Sequence, residues 1–496
     1  MGMARTDEMM PVRRVSKESL LYLPGKLAFA SMAVIATPIY TRYFTPEELG
    51  RFDLALKFAL FVWTLCILWL GNVILRFYPA YAHRGEERAF FTVIALLRWC
   101  GYLLGLGICG LVWLAGPESL VGSYRNLLGL AALAFVGRSS FELGLVLINV
   151  QRRPIAHSVA STINAIAKLT VGMLIAIPLR AGVAGLLWAA ALVPMVVYLV
   201  SMRRGFGGIR FRLGHTERAF LSEAWRYGLP IIFTLVLAFF LANSDRYLLK
   251  FFRDDAEVGV FSIGYFLADQ PVQFIYSTLM IAAFPAITHM YERLGREATA
   301  KLVSSLARLY LLVAVPAVVL LGVLAKPVLF SLAHGAPRES YIVVPWIAAA
   351  AGILGLTQYY TAGLYLAKRT SLTFASSAVA TAINALANCV LIPQYGYYGC
   401  GVVRLISNAV LLALLIVVSR RCLPWRFPWL SASRIVTAAA VAGGAAYLLG
   451  KDMSPGWSSL IGLSILGALL YAGSILALRE VTRDEIQRFL VYLLKR

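Results

Sequence analysis

Apolar runs of about twenty residues recur along the whole of this 496-residue chain. That length matches a bilayer's hydrocarbon core, where only helices and closed barrels can satisfy every backbone N–H and C=O. Strand alternation is absent, so the chain is expected to be an all-α polytopic membrane protein with about fourteen transmembrane helices. Only 14% of its residues are charged, against about 25% in soluble domains.

The first six spans are placed at 19–41, 53–77, 90–115, 126–149, 156–179 and 181–202. The next six fall at 227–249, 259–286, 302–325, 341–366, 371–393 and 398–419, and two more at 435–450 and 457–478. Residues 1–18 form a polar, basic segment with no cleavable signal, followed by span 1 as an uncleaved anchor. Spans 1–6 make one lobe (19–202), a basic linker covers 203–226, and spans 7–12 make a second lobe (227–419). Residues 420–478 carry spans 13–14, and 479–496 read as a basic amphipathic helix on the membrane surface.

The net charge of +22 would suggest nucleic acid in a soluble protein. Here the positive-inside rule and anionic headgroups account for it, and no nucleic-acid partner is expected. Of the 46 Lys and Arg, 28 lie in loops on the side of the N-terminus, 9 on the other side and 9 within spans. This asymmetry places both termini in the cytoplasm. The six cysteines lie mostly in apolar runs without CxxC spacing, so neither disulfides nor a metal site is expected.

The chain repeats itself. "RYFTPEELGRF" (42–52) follows span 1 and "KFFRDDAEVGVF" (250–261) follows span 7. "FYPAY" (77–81) is matched by "FPAI" (284–287), and "INAIAK" (163–168) by "INALAN" (383–388). "GVAG" (182–185) is matched by "GYYG" (396–399). Spans 1–6 and 7–12 are thus two parallel copies of one unit, an arrangement that binds substrate between its halves and works by rocking. The nearest Walker-like string, "AAYLLGKD" (445–452), lacks the first glycine and the Ser/Thr, so no nucleotide cofactor is expected.

Nine cations fall inside spans: Lys26, Lys57, Arg76, Arg98, Arg138, Lys168, Arg246, Arg308 and Arg404. Intramembrane charge is costly and marks function unless it snorkels or pairs. Arg76, Arg98, Arg308 and Lys57 lie near span ends, where either snorkelling or a role inside the bundle accounts for them. Arg246 has Asp245 or headgroups within reach. Arg138 and Glu142 are four apart and can pair. Lys168 lies twelve residues into span 5, roughly 18 Å along the helix, too deep to snorkel.

His157, Ser161, Asn164 and Lys168 form one polar stripe, mirrored by Ser377, Thr381, Asn384 and Asn388. Such stripes either line water or bond helices together. Ser262, Asp269, Gln273 and Tyr276 share a face of span 8, as do Arg404 and Asn408 on span 12. A chamber rich in Lys and Arg attracts an anion such as phosphate. Lys26, after Pro24-Gly25, either faces that chamber or snorkels.

The opening "SLLYLPGKLAFASMAVIATPIYTRYFTPEELGRFDLA" resembles the polysaccharide-biosynthesis flippases, the O-antigen (Wzx-type) members of the multidrug/oligosaccharidyl-lipid/polysaccharide (MOP) exporter superfamily. "NSDRYLLKFFRDDAEVGVFSIGYFLAD" (243–269) and "NALANCVLIPQYGYYGCG" (384–401) resemble the start of their second lobe and their span 11–12 junction. The resemblance implies two six-helix lobes in the bacterial inner membrane. They would move a polyprenyl-diphosphate-linked oligosaccharide, an O-antigen or exopolysaccharide repeat unit, to the periplasmic leaflet by alternating access. In related lipid II flippases the two extra helices form a groove for the lipid tail. Those relatives concentrate arginines in span 1, where this chain has Lys26.

On this reading the diphosphate and glycan meet Lys26, Lys57, Arg138, Lys168, Arg404, Asn164, Asn384 and Asn388. Asp269 or Glu142 would couple a proton or sodium ion. Membrane lipids, a glycan polymerase and chain-length proteins are the expected partners. The alternatives are a cation-coupled multidrug exporter, a lipid II-type flippase and a membrane enzyme. The enzyme reading needs a large outer loop, and the longest, "KPVLFSLAHGAPRES", has about fifteen residues.

Overall fold

The computed structural model describes residues 23–481, except 117–121, 152, 206–217, 333–336, 452, 454 and 455. The described structure is helical and contains no strand. Among the described residues, eleven helices are long and apolar enough to cross a membrane. Two of them, Asp255–Val323 and Thr370–Ser419, are each two helices joined at a left-handed glycine, Gly295 (φ 76°) and Gly396 (φ 56°). With Leu23–Tyr43, every expected span has a helical segment in its place. The basic tail lies outside the described residues beyond Val481.

Local chemistry moves several boundaries. Span 2 begins at Pro46, seven residues before its apolar run, because Thr45 and Glu48 form a reciprocal capping box. Thr45 N–H donates to Glu48 Oε2 (2.8 Å), and Glu48 N–H donates to Thr45 Oγ1 (3.3 Å). Span 7 begins at Arg218 and takes in the end of the expected linker. Phe220 anchors that extension, 1% exposed and 4.8–5.6 Å from the rings of Phe77, Tyr81 and Phe90.

The chain divides into two compact units. The first holds Tyr43–Ser262, Asn388–Gly396 and the described part of the chain up to Ala36. The second holds Ile263–Ala387, Thr37–Arg42 and the described part of Tyr397–Arg496.

The repeat is visible in backbone detail inside the first unit. Gly182 and Gly396, first residues of the paired G-x-x-G turns, share the same φ of 56°. Thr45 and Asp254 cap corresponding helices, and Asp254 Oδ1 accepts from Glu257 N–H at 2.8 Å. Corresponding glycines then cross. A Cβ on Gly50 would lie 2.0 Å from the Asp255 carbonyl oxygen, and one on Gly259 would lie 1.8 Å from the Pro46 carbonyl oxygen. Spans 2 and 8 therefore meet backbone to backbone at their first turns, through a reciprocal contact that a local two-fold axis generates.

In the second unit, spans 13 and 14 pack on span 9 through small residues. A Cβ on Gly443 would sit 2.5 Å from Val319, and one on Gly467 2.7 Å from Leu320. Glu480, just beyond span 14, ties this packing at the other end. Its buried carboxylate accepts from Arg308 Nε (2.7 Å) and lies 3.6 Å from Arg434 Nη1. Glu480→Gln is expected to cost about 2 kcal/mol, below the 3–5 of a fully buried pair, because both arginines keep a third of their surface exposed. Hydrogen exchange should rise first in Trp429–Gly450 and Trp457–Ala477. Unchanged exchange there would remove Glu480 as the tie.

Candidate functional site

Arg138 and Lys168 come from adjacent helices of the first unit, Arg125–Val150 and Pro154–Ala176. Both are half-buried, and Lys168 lies within electrostatic range of Arg138 and Glu142. The Arg138–Glu142 pair is loose, at 3.8 Å. The guanidinium rests 4.8 Å over the Trp63 ring. Two cations thus share one carboxylate, a local surplus of one positive charge. Arg138 Nε and Asn164 Oδ1 are buried with no hydrogen-bond partner among the described residues. Buried polar atoms normally find one, so this group has capacity for water or a ligand.

The stripe His157, Ser161, Asn164, Lys168 is half-buried along its length. Its counterpart behaves differently: Thr381, Asn384 and Asn388 are buried. Asn384 Nδ2 donates to Ser407 Oγ at 3.1 Å, and Asn408 Nδ2 to the Ala350 carbonyl at 2.8 Å. These bonds hold helices of the second unit together. Arg404, 4% exposed, donates to Tyr265 Oη at 2.8 Å and lies 5.2 Å over its ring. Asp269 is buried on the same unit, within electrostatic range of Tyr276. The Lys26 side chain lies outside the described residues.

Lys57 belongs to another cluster. Its Nζ is 4.0 Å from Asp53, which also accepts from Arg246 Nε (2.6 Å) and Ser262 Oγ (2.6 Å). Arg246, for which headgroup contact was one expectation, is instead fully buried, with its guanidinium 5.3 Å over Phe261. Asp53 and Ser262 are 209 residues apart, the same offset as Gly50 and Gly259. Corresponding residues of the two copies thus bond each other across the local axis. One turn outward, Asp255 accepts from Lys250 Nζ (2.8 Å), Arg51 Nε (3.2 Å) and Tyr124 Oη.

Sequence reasoning missed this second cluster, because Asp53 reads as a span-end acid and Arg246 has Asp245 beside it. The repeat offset was the available signal: it superimposes Asp53 on Ser262 at the depth of Arg246.

A family model described as "Polysaccharide biosynthesis protein" matches residues 15–291. One described as "Lipid II flippase MurJ" matches residues 234–466. A solved structure of lipid II flippase MurJ in an inward closed conformation is 14% identical, with a TM-score of 0.74 over 92% of this chain and 98% of that one. An inward-facing multidrug resistance MATE family transporter of the MOP superfamily is 14% identical, with a TM-score of 0.62 over 82% and 98%. A Vibrio cholerae MATE transporter is 14% identical, with a TM-score of 0.57 over 83% and 97%. Among curated protein sequences nothing matches. The half-chain family match and the shared fold agree: the chain belongs to the polysaccharide biosynthesis protein family and is a multi-pass membrane protein with the fold of the MOP superfamily.

Proposed function

We propose that the protein moves a polyprenyl-diphosphate-linked oligosaccharide across the bacterial inner membrane by alternating access. The carrying observation is the Arg138–Lys168 group: two half-buried cations on adjacent spans, with one loosely held carboxylate and unsatisfied polar atoms beside them. Such a group stabilises a diphosphate at a depth where cations otherwise go unpaid. A cationic drug would meet net repulsion there, which disfavours the exporter reading. Lys26, Lys57, Arg404, Asn384 and Asn388 remain proposed contacts along the path, and Glu142 or Asp269 a proposed ion-coupling carboxylate. A glycan polymerase and chain-length proteins would take up the product.

On this reading the crossing of spans 2 and 8, where Asp53 meets Arg246 and Ser262, would close one side. With the orientation expected from the charge count, this end would face the periplasm. Alternating access requires the crossing to part and re-form.

Glycan display in cells tests the reading. Arg138→Ala and Lys168→Ala should each lower display at least about tenfold at normal protein level, the loss of one charge-assisted contact. Wild-type display from both variants would refute it. A lipid II-type flippase is the second reading, favoured by the family match over 234–466. Survival of cells whose own lipid II flippase is depleted, supported by this chain alone, would select it over a polysaccharide repeat unit.

A further inference from the structure

The second unit contains a hollow of about 790 Å³ that the translocation reading does not use. It lies where span 9 ends, span 10 begins, span 13 ends and span 14 begins, at the end of the unit opposite Glu480. Val323, Leu324, Ala446 and Leu463 form its floor. Lys326, on the short helix Ala325–Leu332, and Lys451, just past Gly450, both line it and are exposed, and no described lining residue is acidic. Trp346 and Tyr398 form a T-shaped pair in its wall, 5.9 Å between centroids at 88°.

A belt of interfacial aromatics alone would mark only the membrane boundary. A concave hollow of ligand-binding size, apolar at depth and cationic at the rim, does more. Its chemistry matches an amphiphile with a negative head. We propose that this hollow holds the phosphate headgroup of a resident anionic phospholipid. The phosphate sits between Lys326 and Lys451, and the root of one acyl chain lies on Val323 and Leu463. The occupant comes from the adjacent leaflet because Val323, Ala446 and Leu463 belong to helices long and apolar enough to cross a membrane. The lipid would wedge spans 13–14 against span 9. This proposal does not depend on what the protein transports.

Native mass spectrometry of the full chain, extracted from vesicles of phosphatidylglycerol and phosphatidylcholine in equal amounts, tests it. Wild type should retain phosphatidylglycerol preferentially. Lys326→Gln with Lys451→Gln should weaken that retention about thirtyfold, the effect of roughly one charge contact per lysine. Both side chains are exposed, so the variant should keep its fold. Lys301→Gln, an exposed lysine at the other end paired with Glu297, should change nothing. Equal retention by wild type and the double variant would overturn the proposal. So would a lipid lost equally in all three proteins, or a double variant that instead loses binding of a sugar phosphate such as glucose 1-phosphate, which would make the hollow a saccharide site.

Discussion

Replacing Asp53 by alanine is expected to part the crossing of spans 2 and 8. The substitution leaves Arg246, with 0% exposure, without the carboxylate that holds it at 2.6 Å. Removing one partner of a buried pair costs about 3–5 kcal/mol, chiefly from the stranded charge. Ser262 loses its acceptor at the same time, and Lys57 the carboxylate 4.0 Å from its Nζ. Opening the crossing lets water reach Arg246 and recovers much of that cost. A bias of this size approaches the ~5.5 kcal/mol that moves a two-state equilibrium from 1:99 to 99:1. Phe61→Cys gives a readout, since Phe61 packs below the cluster on Phe239 and Phe240 at 5.3 and 5.6 Å. In a background where the exposed Cys100 and Cys389 are serine, an impermeant maleimide should label that cysteine more than tenfold faster in Asp53→Ala. Exchanging the charges, Asp53→Arg with Arg246→Asp, should slow labelling again. Unchanged labelling in the single variant would show that the pair does not hold the crossing.

The second large effect is steric. Gly50 and Gly259 sit where a methyl group would overlap backbone oxygen, at 2.0 and 1.8 Å. Backbone cannot move aside as a flexible side chain does, so Gly259→Ala alone must separate the helices. Overpacking typically costs 1–3 kcal/mol, and here the relief is opening rather than unfolding. Glycan display should fall about tenfold or more while the protein remains in the membrane. Because one methyl already breaks the contact, Gly50→Ala added to Gly259→Ala should cost little further, a plain departure from additivity. Full additivity of the two losses would mean that the glycines act separately and that the reciprocal contact is unimportant.

The spans were legible because hydropathy over twenty residues is a local signal, and the repeat because four short motifs recur in order. Even the left-handed turns at Gly182 and Gly396 are marked by G-x-x-G in both copies. Boundaries were less legible where a polar cap extends a helix, as Thr45–Glu48 does, or a distant packing partner does, as around Phe220. The charged side chains were the hardest to read. Depth along the span separates Lys57 from Lys168 in sequence, but not the fact that one faces Asp53 and the other Arg138 and Glu142. Arg404 gave no hint of Tyr265, nor Arg246 of Asp53, because those partners are 139 and 193 residues away. Periodicity assigns a face to a residue but not the helix that covers it.

A reversible lock tests the whole account most directly. Asp53 and Ser262 touch through their side chains across the local axis, so Asp53→Cys with Ser262→Cys places two thiols where a disulfide can form. In vesicles loaded with a fluorescent polyprenyl-diphosphate-linked saccharide, the oxidised protein should move no lipid, and reduction should restore the rate shown by Asp53→Cys alone. Movement at an undiminished rate with the disulfide closed would contradict alternating access through this crossing.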